Sequence, residues 1–120
     1  DIYPTILSLT GNNVSNLKLN GTQQLDGFSL EPFLKNPKTK LWDGPDAALT
    51  VIASWRSQLP ERQHLSVRGK RYRYIKYANG NEELYDYKKD PYEWYNLASS
   101  IEHNNVKQKL SRILNQQLKL

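Results

Sequence analysis

The sequence predicts an α+β fold, in which a small antiparallel sheet of about four strands is packed by a C-terminal amphipathic helix and preceded by short helices. Two observations lead to this prediction. The middle of the chain carries short segments of alternating polar and apolar residues between turns, and its end carries apolar residues at helical spacing. The chain has 120 residues, 38% of them hydrophobic and 24% charged. That composition suits one small globular unit and excludes a disordered or collagenous chain.

Two short helices are expected before the sheet. A helix is predicted over 2–9, where apolar residues follow helical spacing and a glycine comes after the last of them. A second helix is predicted within 25–34, with Ser29 as its N-cap, and it ends before the Asn-Pro pair at 36–37. The Asn-rich segment 12–24 is typical of an exposed connection.

Four strands are predicted in chain order. The run 47–55 is apolar almost throughout, which is typical of a strand covered on both faces. The segments 64–68, 71–77 and 83–87 alternate polar and apolar residues and are separated by glycine-containing turns. We expect the exposed face of this sheet to keep its arginine, lysine and tyrosine polar groups in water.

Helical signals return after the last strand. The tetrapeptide DPYE at 90–93 has the form of a capping box, in which Asp90 accepts from the amide of Glu93 and Glu93 reaches back to the amide of Asp90. A helical turn from there to about residue 97 is predicted. The terminal helix is predicted from five apolar residues that share one helical face: Val106, Leu110, Ile113, Leu114 and Leu118.

The composition also restricts the chemistry that this chain can perform. It contains no Cys and only two His, His64 and His103, so disulfides, thiolate zinc sites and a His-rich metal cluster are excluded. No run is long and apolar enough to span a membrane. The net charge is +5, and the basic residues of 62–76 alternate with tyrosines, a mixture that favours an anionic polymer such as a sulfated glycan or nucleic acid. No RNA-recognition signature is present, so nucleic acid is the less favoured partner.

One group of side chains could recognise an anion. His64, Ser66 and Arg68 are spaced two residues apart, so they point to the same side of their strand. Arg68 offers a bidentate fork to an oxyanion, and His64 offers a hydrogen bond. The alternative, which spacing alone favours, is the solvated polar face of a half-buried strand.

Several motifs in chain order resemble the carboxy-terminal part of type I sulfatases of the alkaline-phosphatase superfamily, with the nearest likeness to the iduronate-sulfatase-like bacterial branch. The resemblance covers nearly the whole chain, and its most specific part is the last run. The motifs are DIYPTIL at 1–7, LDGFSL at 25–30, SVR at 66–68, RYI at 73–75, ELYD at 83–86, and DP, E and NLA at 90–98.

The resemblance implies a fragment of a sulfuric ester hydrolase that acts on sulfated carbohydrate. Residues 1–45 would be the end of the catalytic domain and a bridging segment, and residues 46–120 the C-terminal sulfatase subdomain. The catalytic formylglycine and a calcium ion are expected in the missing N-terminal catalytic domain, which is the fragment's partner, and no cofactor is expected here. The fragment alone is expected to be inactive, and the whole protein to be periplasmic or extracellular, with no membrane partner.

If this chain touches the substrate, His64, Arg68 and Arg56 are the candidate residues, since cations near a pocket would hold a sulfated sugar. Two alternatives stay open. The chain could be a free-standing basic module that binds a sulfated glycan or nucleic acid, or the whole enzyme could cleave a phosphodiester or a phosphonate monoester.

Overall fold

The computed structural model describes residues 1–12, 18–19, 23–24, 26–53, 59 and 62–118. The chain divides into two compact units, Asp1–Pro45 and Asp46–Leu120, each of which is described here by itself. The assignment of the first unit to the end of a catalytic domain stays a prediction.

The first unit begins with helix α1, Ile2–Leu9, as the spacing predicts. The Thr5 hydroxyl donates to the Asp1 carbonyl at 2.6 Å and accepts from the Leu30 amide at 2.8 Å, so it ties the helix to the segment that follows it. Gly27 approaches the same end of α1 with a φ of +92°, and a side chain at this position would lie 2.8 Å from the Asp1 nitrogen. Only glycine combines that backbone conformation with that close approach.

Two very short strands, β1 (Lys18–Leu19) and β2 (Gln23–Gln24), pair antiparallel, and helix α2 covers Glu31–Lys35. The residue that caps α2 is Leu30, one place later than predicted. Ser29 still contributes, because its hydroxyl accepts from the Glu31 amide at 3.2 Å.

The second unit contains the predicted four-stranded antiparallel sheet. Its strands are β3 (Ala48–Ile52), β4 (His64–Arg68), β5 (Tyr72–Lys76) and β6 (Glu82–Asp86), and they pair in the order β3-β4-β5-β6. Each strand therefore lies beside its neighbours in the sequence, which is the arrangement that the short predicted turns require.

One face of the sheet is covered by helix α3, Asn104–Leu118, which follows a single 3₁₀ turn at Ile101–His103. The helix packs mainly on β4 and β5, and its inward side is the apolar face that the spacing predicts. The core contains alternate residues of the strands together with helix residues; its buried members are Ala47, Leu65, Val67, Tyr74, Leu84, Ala98, Leu110 and Leu114.

Strand β3 corrects one prediction. The run 47–55 was expected to be covered on both faces, yet Ala48, Thr50, Val51 and Ile52 are exposed. The reason lies in the packing, since α3 lies mainly on β4 and β5. Residues 54–55 of the run lie outside the described residues.

A buried carboxylate lies at the end of β6. Asp86, at the end of β6, is 1% exposed and accepts from Arg71 Nε at 2.8 Å and from Arg71 Nη2 at 2.6 Å. The same carboxylate accepts from the Lys88 amide at 3.1 Å. Asp86 thus joins the β4–β5 turn to the turn after β6.

In the part of the chain that is described, no helix is both long and apolar enough to cross a bilayer.

Candidate functional site

The sheet face opposite α3 carries the basic and polar side chains of the middle of the chain, and we call it the open face. Antiparallel pairing places Arg68 of β4 opposite Arg73 of β5. Alternate residues of a strand point to one side, so His64, Ser66 and Arg68 share the open face as predicted. The strand residues of this face are Ala48, Thr50, Ile52, His64, Ser66, Arg68, Arg73, Ile75, Glu83 and Tyr85.

The centre of the open face is an ion pair between Arg73 and Glu93. Arg73 Nη1 donates to the two carboxylate oxygens of Glu93 at 3.1 and 3.0 Å, and Arg73 Nε donates to the Ser66 hydroxyl at 3.0 Å. Partial burial of the guanidinium opposes its charge, but hydrogen bonding by Tyr87 and Glu93 keeps the pKa of Arg73 above its ordinary value. The positive charge of Arg73 is thus paired with Glu93 within the fold.

Arg68 lies beside this pair and makes a different kind of contact. Its guanidinium carbon lies 3.8 Å from the centroid of the Tyr87 ring, a cation–π contact, and the Tyr87 hydroxyl donates to Glu93. Among the described residues, no carboxylate lies within ion-pair distance of Arg68, whereas Arg71 and Arg73 each have one. Arg68 is exposed, so its charge is available to an anion from solution.

Glu93 corrects the capping-box prediction. Its φ of 58° is in the left-handed region, and residues 91–97 form turns and bends instead of a helical turn. The Asp90 carboxylate accepts from the Tyr95 amide at 2.8 Å, and the Glu93 carboxylate binds Arg73 and Tyr87. Those long-range contacts offset a conformational cost of about 1–2 kcal/mol for a residue other than glycine.

Asn96 attaches the same loop to the edge of β6. Its side-chain oxygen accepts from the Leu84 amide at 3.1 Å and from the Ala98 amide at 2.9 Å, and its Nδ2 donates to the Glu82 carbonyl at 3.1 Å. The loop 90–98 is therefore held by side chains on both sides of Glu93. The side chains of Asp90 and Asn96 both bond to backbone groups.

His64 lies at the other end of the open face from Arg68. Its Nδ1 accepts from the Ala78 amide at 3.4 Å, and its ring meets the Tyr77 ring edge-on with 5.7 Å between centroids. With Nδ1 accepting, the neutral ring carries its hydrogen on Nε2. His64 can therefore donate one hydrogen bond to a ligand.

The structure separates the predicted binding residues from one another. Four residues along a strand span about 13 Å, so His64 and Arg68 cannot hold one sulfate group between them. Ser66, between them, already accepts from Arg73. The third candidate, Arg56, lies outside the described residues.

The tyrosines of the open face are less hydrated than predicted. The Tyr77 hydroxyl donates to Glu83 at 3.0 Å, and burial, reinforced by Glu83, raises the pKa of Tyr85 to about 12. Sequence reasoning did not place Tyr87 and Glu93 beside the arginines of this face, where the structure has them. The alternation of Tyr85 and Tyr87 could have placed Tyr87 on this face, but no local pattern indicates the contact of Glu93 with Arg73.

Two further features limit the chemistry of the described residues. They contain no group of three or more His, Cys, Asp or Glu side chains that could hold a metal ion. A cavity of about 730 Å³ beside the β5–β6 turn is lined in part by Glu82, Glu83 and Lys107, and Glu82 already accepts from Lys107 at 2.9 Å. Two carboxylates against one cation make this cavity unsuitable for a sulfated ligand.

The architecture of the chain is shared with sulfatases. A 2-O GAG sulfatase of known structure superposes with a TM-score of 0.72 at 29% sequence identity, over 99% of this chain and 24% of that one. Residues 1–119 match the family described as N-sulphoglucosamine sulphohydrolase, C-terminal, and the chain belongs to that family.

Two curated relatives are sulfatases as well. The chain is 37% identical over 112 residues to a Δ4,5-hexuronate-2-O-sulfatase of Bacteroides thetaiotaomicron, a match that covers 88% of this chain and 20% of the relative. It is 27% identical over 118 residues to an ulvan-active sulfatase of Formosa agariphila, covering 98% of this chain and 21% of that relative. The chain thus spans about one fifth of the length of these relatives. The resemblance to sulfatase C-terminal regions is confirmed.

Proposed function

We propose that the full-length protein hydrolyses sulfate esters of a carbohydrate, and that this chain supplies a packing surface and part of the rim of the substrate pocket. The observation that supports this function best is the family match over residues 1–119, whose curated relatives are sulfatases of hexuronate and ulvan. Sulfated polysaccharides of this kind lie outside the cell, so a periplasmic or extracellular location follows from the same proposal.

We place the reacting groups elsewhere in the full-length protein. Hydrolysis of a sulfate ester requires a nucleophile and a centre that stabilises negative charge. The described residues hold no metal-binding cluster, and they do not fit a calcium site. We propose that the formylglycine nucleophile and the calcium ion lie in the remaining part of the full-length protein, because this chain spans about one fifth of the length of its sulfatase relatives. No catalytic step is assigned to the residues of this chain.

Arg68 is our first candidate for a substrate contact. Its exposed guanidinium offers paired N–H donors that match the geometry of a sulfate oxyanion, and the Tyr87 ring holds it in place. His64 would donate from Nε2 to a sugar unit farther along the same saccharide, because the two side chains cannot reach one group. Arg56 is proposed as a third cation on the basis of its charge.

The function is tested by sulfate release from the full-length protein. We expect it to liberate sulfate from 2-O-sulfated unsaturated hexuronate disaccharides or from ulvan oligosaccharides, and we expect this chain alone to release none. Sulfate can be measured by ion chromatography. Hydrolysis of a phosphonate monoester with no sulfate release would contradict the proposal, as would activity of the isolated chain.

The role of Arg68 is tested in the same assay. We expect Arg68→Ala to raise KM by about tenfold with a small change in kcat, since one charge-assisted contact is lost in both the ground state and the transition state. The matched control is Arg112→Ala, an exposed arginine on α3, which we expect to leave KM unchanged. An unaltered KM in Arg68→Ala would remove Arg68 from the substrate contacts.

A further inference from the structure

The loop 90–98 displays three large aromatic side chains to solvent. Tyr92 and Trp94 are each 73% exposed, and Tyr95 is 70% exposed. The rings of Tyr92 and Trp94 are stacked on each other, with 5.3 Å between centroids and 23° between planes. Exposed aromatic clusters of this kind are typical of binding surfaces, because such rings are otherwise buried.

These rings stand on a rigid support. Glu93, between Tyr92 and Trp94, is held by two hydrogen bonds from Arg73 and one from Tyr87. Asp90 accepts from the Tyr95 amide at 2.8 Å at one end of the loop, and Asn96 is bonded to β6 at the other. A surface whose backbone is already ordered loses little conformational entropy on binding a ligand.

The charges next to the rings are mostly positive. Lys88 and Lys89 are exposed in the turn that leads into the loop, and the Cα atoms of Lys89 and Tyr92 lie within about 11 Å because only two residues lie between them. Arg68 contacts Tyr87, which in turn binds Glu93. Of the carboxylates near these cations, Glu93 pairs with Arg73 and Asp86 pairs with Arg71. Among the described residues, this leaves Asp90 and Glu83 to oppose three cations.

We propose that this aromatic loop is a binding surface for a sulfated saccharide, an inference that rests on the proposed function. The stacked rings of Tyr92 and Trp94 would pack against the C–H faces of a pyranose, whose weakly positive hydrogens suit the negative face of an aromatic ring. Lys88, Lys89 and Arg68 would pair with its sulfate groups. A ligand that is both ring-shaped and anionic matches the two properties of this surface together.

The test uses the full-length protein, with heparin and chemically desulfated heparin as probes, and titration calorimetry as the readout. We expect Trp94→Ala to weaken heparin binding by about tenfold, and Trp94→Phe, which keeps a ring, to bind within about twofold of the wild type. The matched control is Ile101→Ala, because Ile101 is 93% exposed and lies outside the loop. Desulfated heparin should bind more weakly, and the affinity for heparin should fall as salt is raised.

Two results would contradict the proposal that this loop binds a sulfated saccharide. One is an unchanged affinity of Trp94→Ala for heparin, and the other is protection of Trp94 from acrylamide quenching in the ligand-free protein, which would show that another part of the protein covers the loop. Sulfate release is measured on the same preparations. If the wild type releases sulfate and Trp94→Ala binds heparin unchanged, the proposed binding surface is wrong and the sulfatase function still holds. Heparin binding that depends on Trp94, without release of sulfate from any sulfated saccharide, would support the binding surface and contradict the sulfatase function.

Discussion

Replacing Leu114 by alanine should lower the free energy of unfolding of this chain by about 3 kcal/mol. Leu114 is 1% exposed and belongs to the core between α3 and the sheet. Truncation removes buried methyl groups and leaves a cavity, which the other side chains of this tightly packed core can fill only in part. The measurement is urea unfolding followed by circular dichroism of the helices.

Leu41→Ala is the matched control, because it removes the same atoms from a side chain that is 83% exposed. We expect it to change the free energy of unfolding by less than about 0.5 kcal/mol. Equal losses in the two variants would mean that α3 does not pack on the sheet as described, and the assignment of the core would then be wrong.

Replacing Asp86 by asparagine should lower the free energy of unfolding by about 2 kcal/mol near neutral pH. The buried carboxylate accepts two hydrogen bonds from Arg71 and one from the Lys88 amide. The asparagine amide has one acceptor oxygen in place of two and no charge, so part of this set is lost. Asp43→Asn, at an exposed position, is the control and should have little effect.

The loss in Asp86→Asn should depend on pH in a defined direction. Arg71, aided by the Lys88 amide and opposed by burial, holds the pKa of Asp86 below its ordinary value of 3.8. A carboxyl whose pKa is lower in the folded than in the unfolded state stabilises the fold above the unfolded pKa, and this contribution is lost as the pH falls through the folded pKa. The difference between wild type and variant should therefore be constant above about pH 5 and shrink in more acidic solution. A difference that does not change down to about pH 2 would contradict this ionic role.

The parts of the fold that sequence alone predicted are those that depend on local patterns. Alternation predicted β4 to β6, and helical spacing predicted α1 and α3, because each pattern is fixed by residues within the element itself. The solvent exposure of β3 could not be predicted in this way. Its composition indicates coverage on both faces, whereas its exposure follows from the position of α3 over β4 and β5, which no short segment encodes.

In the candidate site, too, the sequence predicted what depends on a local pattern and not what depends on contacts between distant residues. The shared face of His64 and Arg68 follows from strand periodicity and was predicted. The role of Glu93 was not predicted, since DPYE is a sound local capping signal and the residue is instead drawn to Arg73, which lies 20 positions earlier in the chain. An ion pair over that sequence separation competes with the cap, and only the three-dimensional arrangement shows which interaction prevails.

The pairing of each strand with its sequence neighbour also determines how the sheet assembles in time. Only residues 69–71 connect β4 to β5, and residues 77–81 connect β5 to β6, whereas residues 53–63 separate β3 from β4. Short connections cost little closure entropy, and tight hairpins form within about 1–10 μs. We therefore expect strands β4 to β6 to pair first, before α3 and β3 pack on them. Although β3 precedes β4 in the chain, we expect it to be the last strand to gain a partner, and until then its apolar residues would be open to pairing with another unfolded copy.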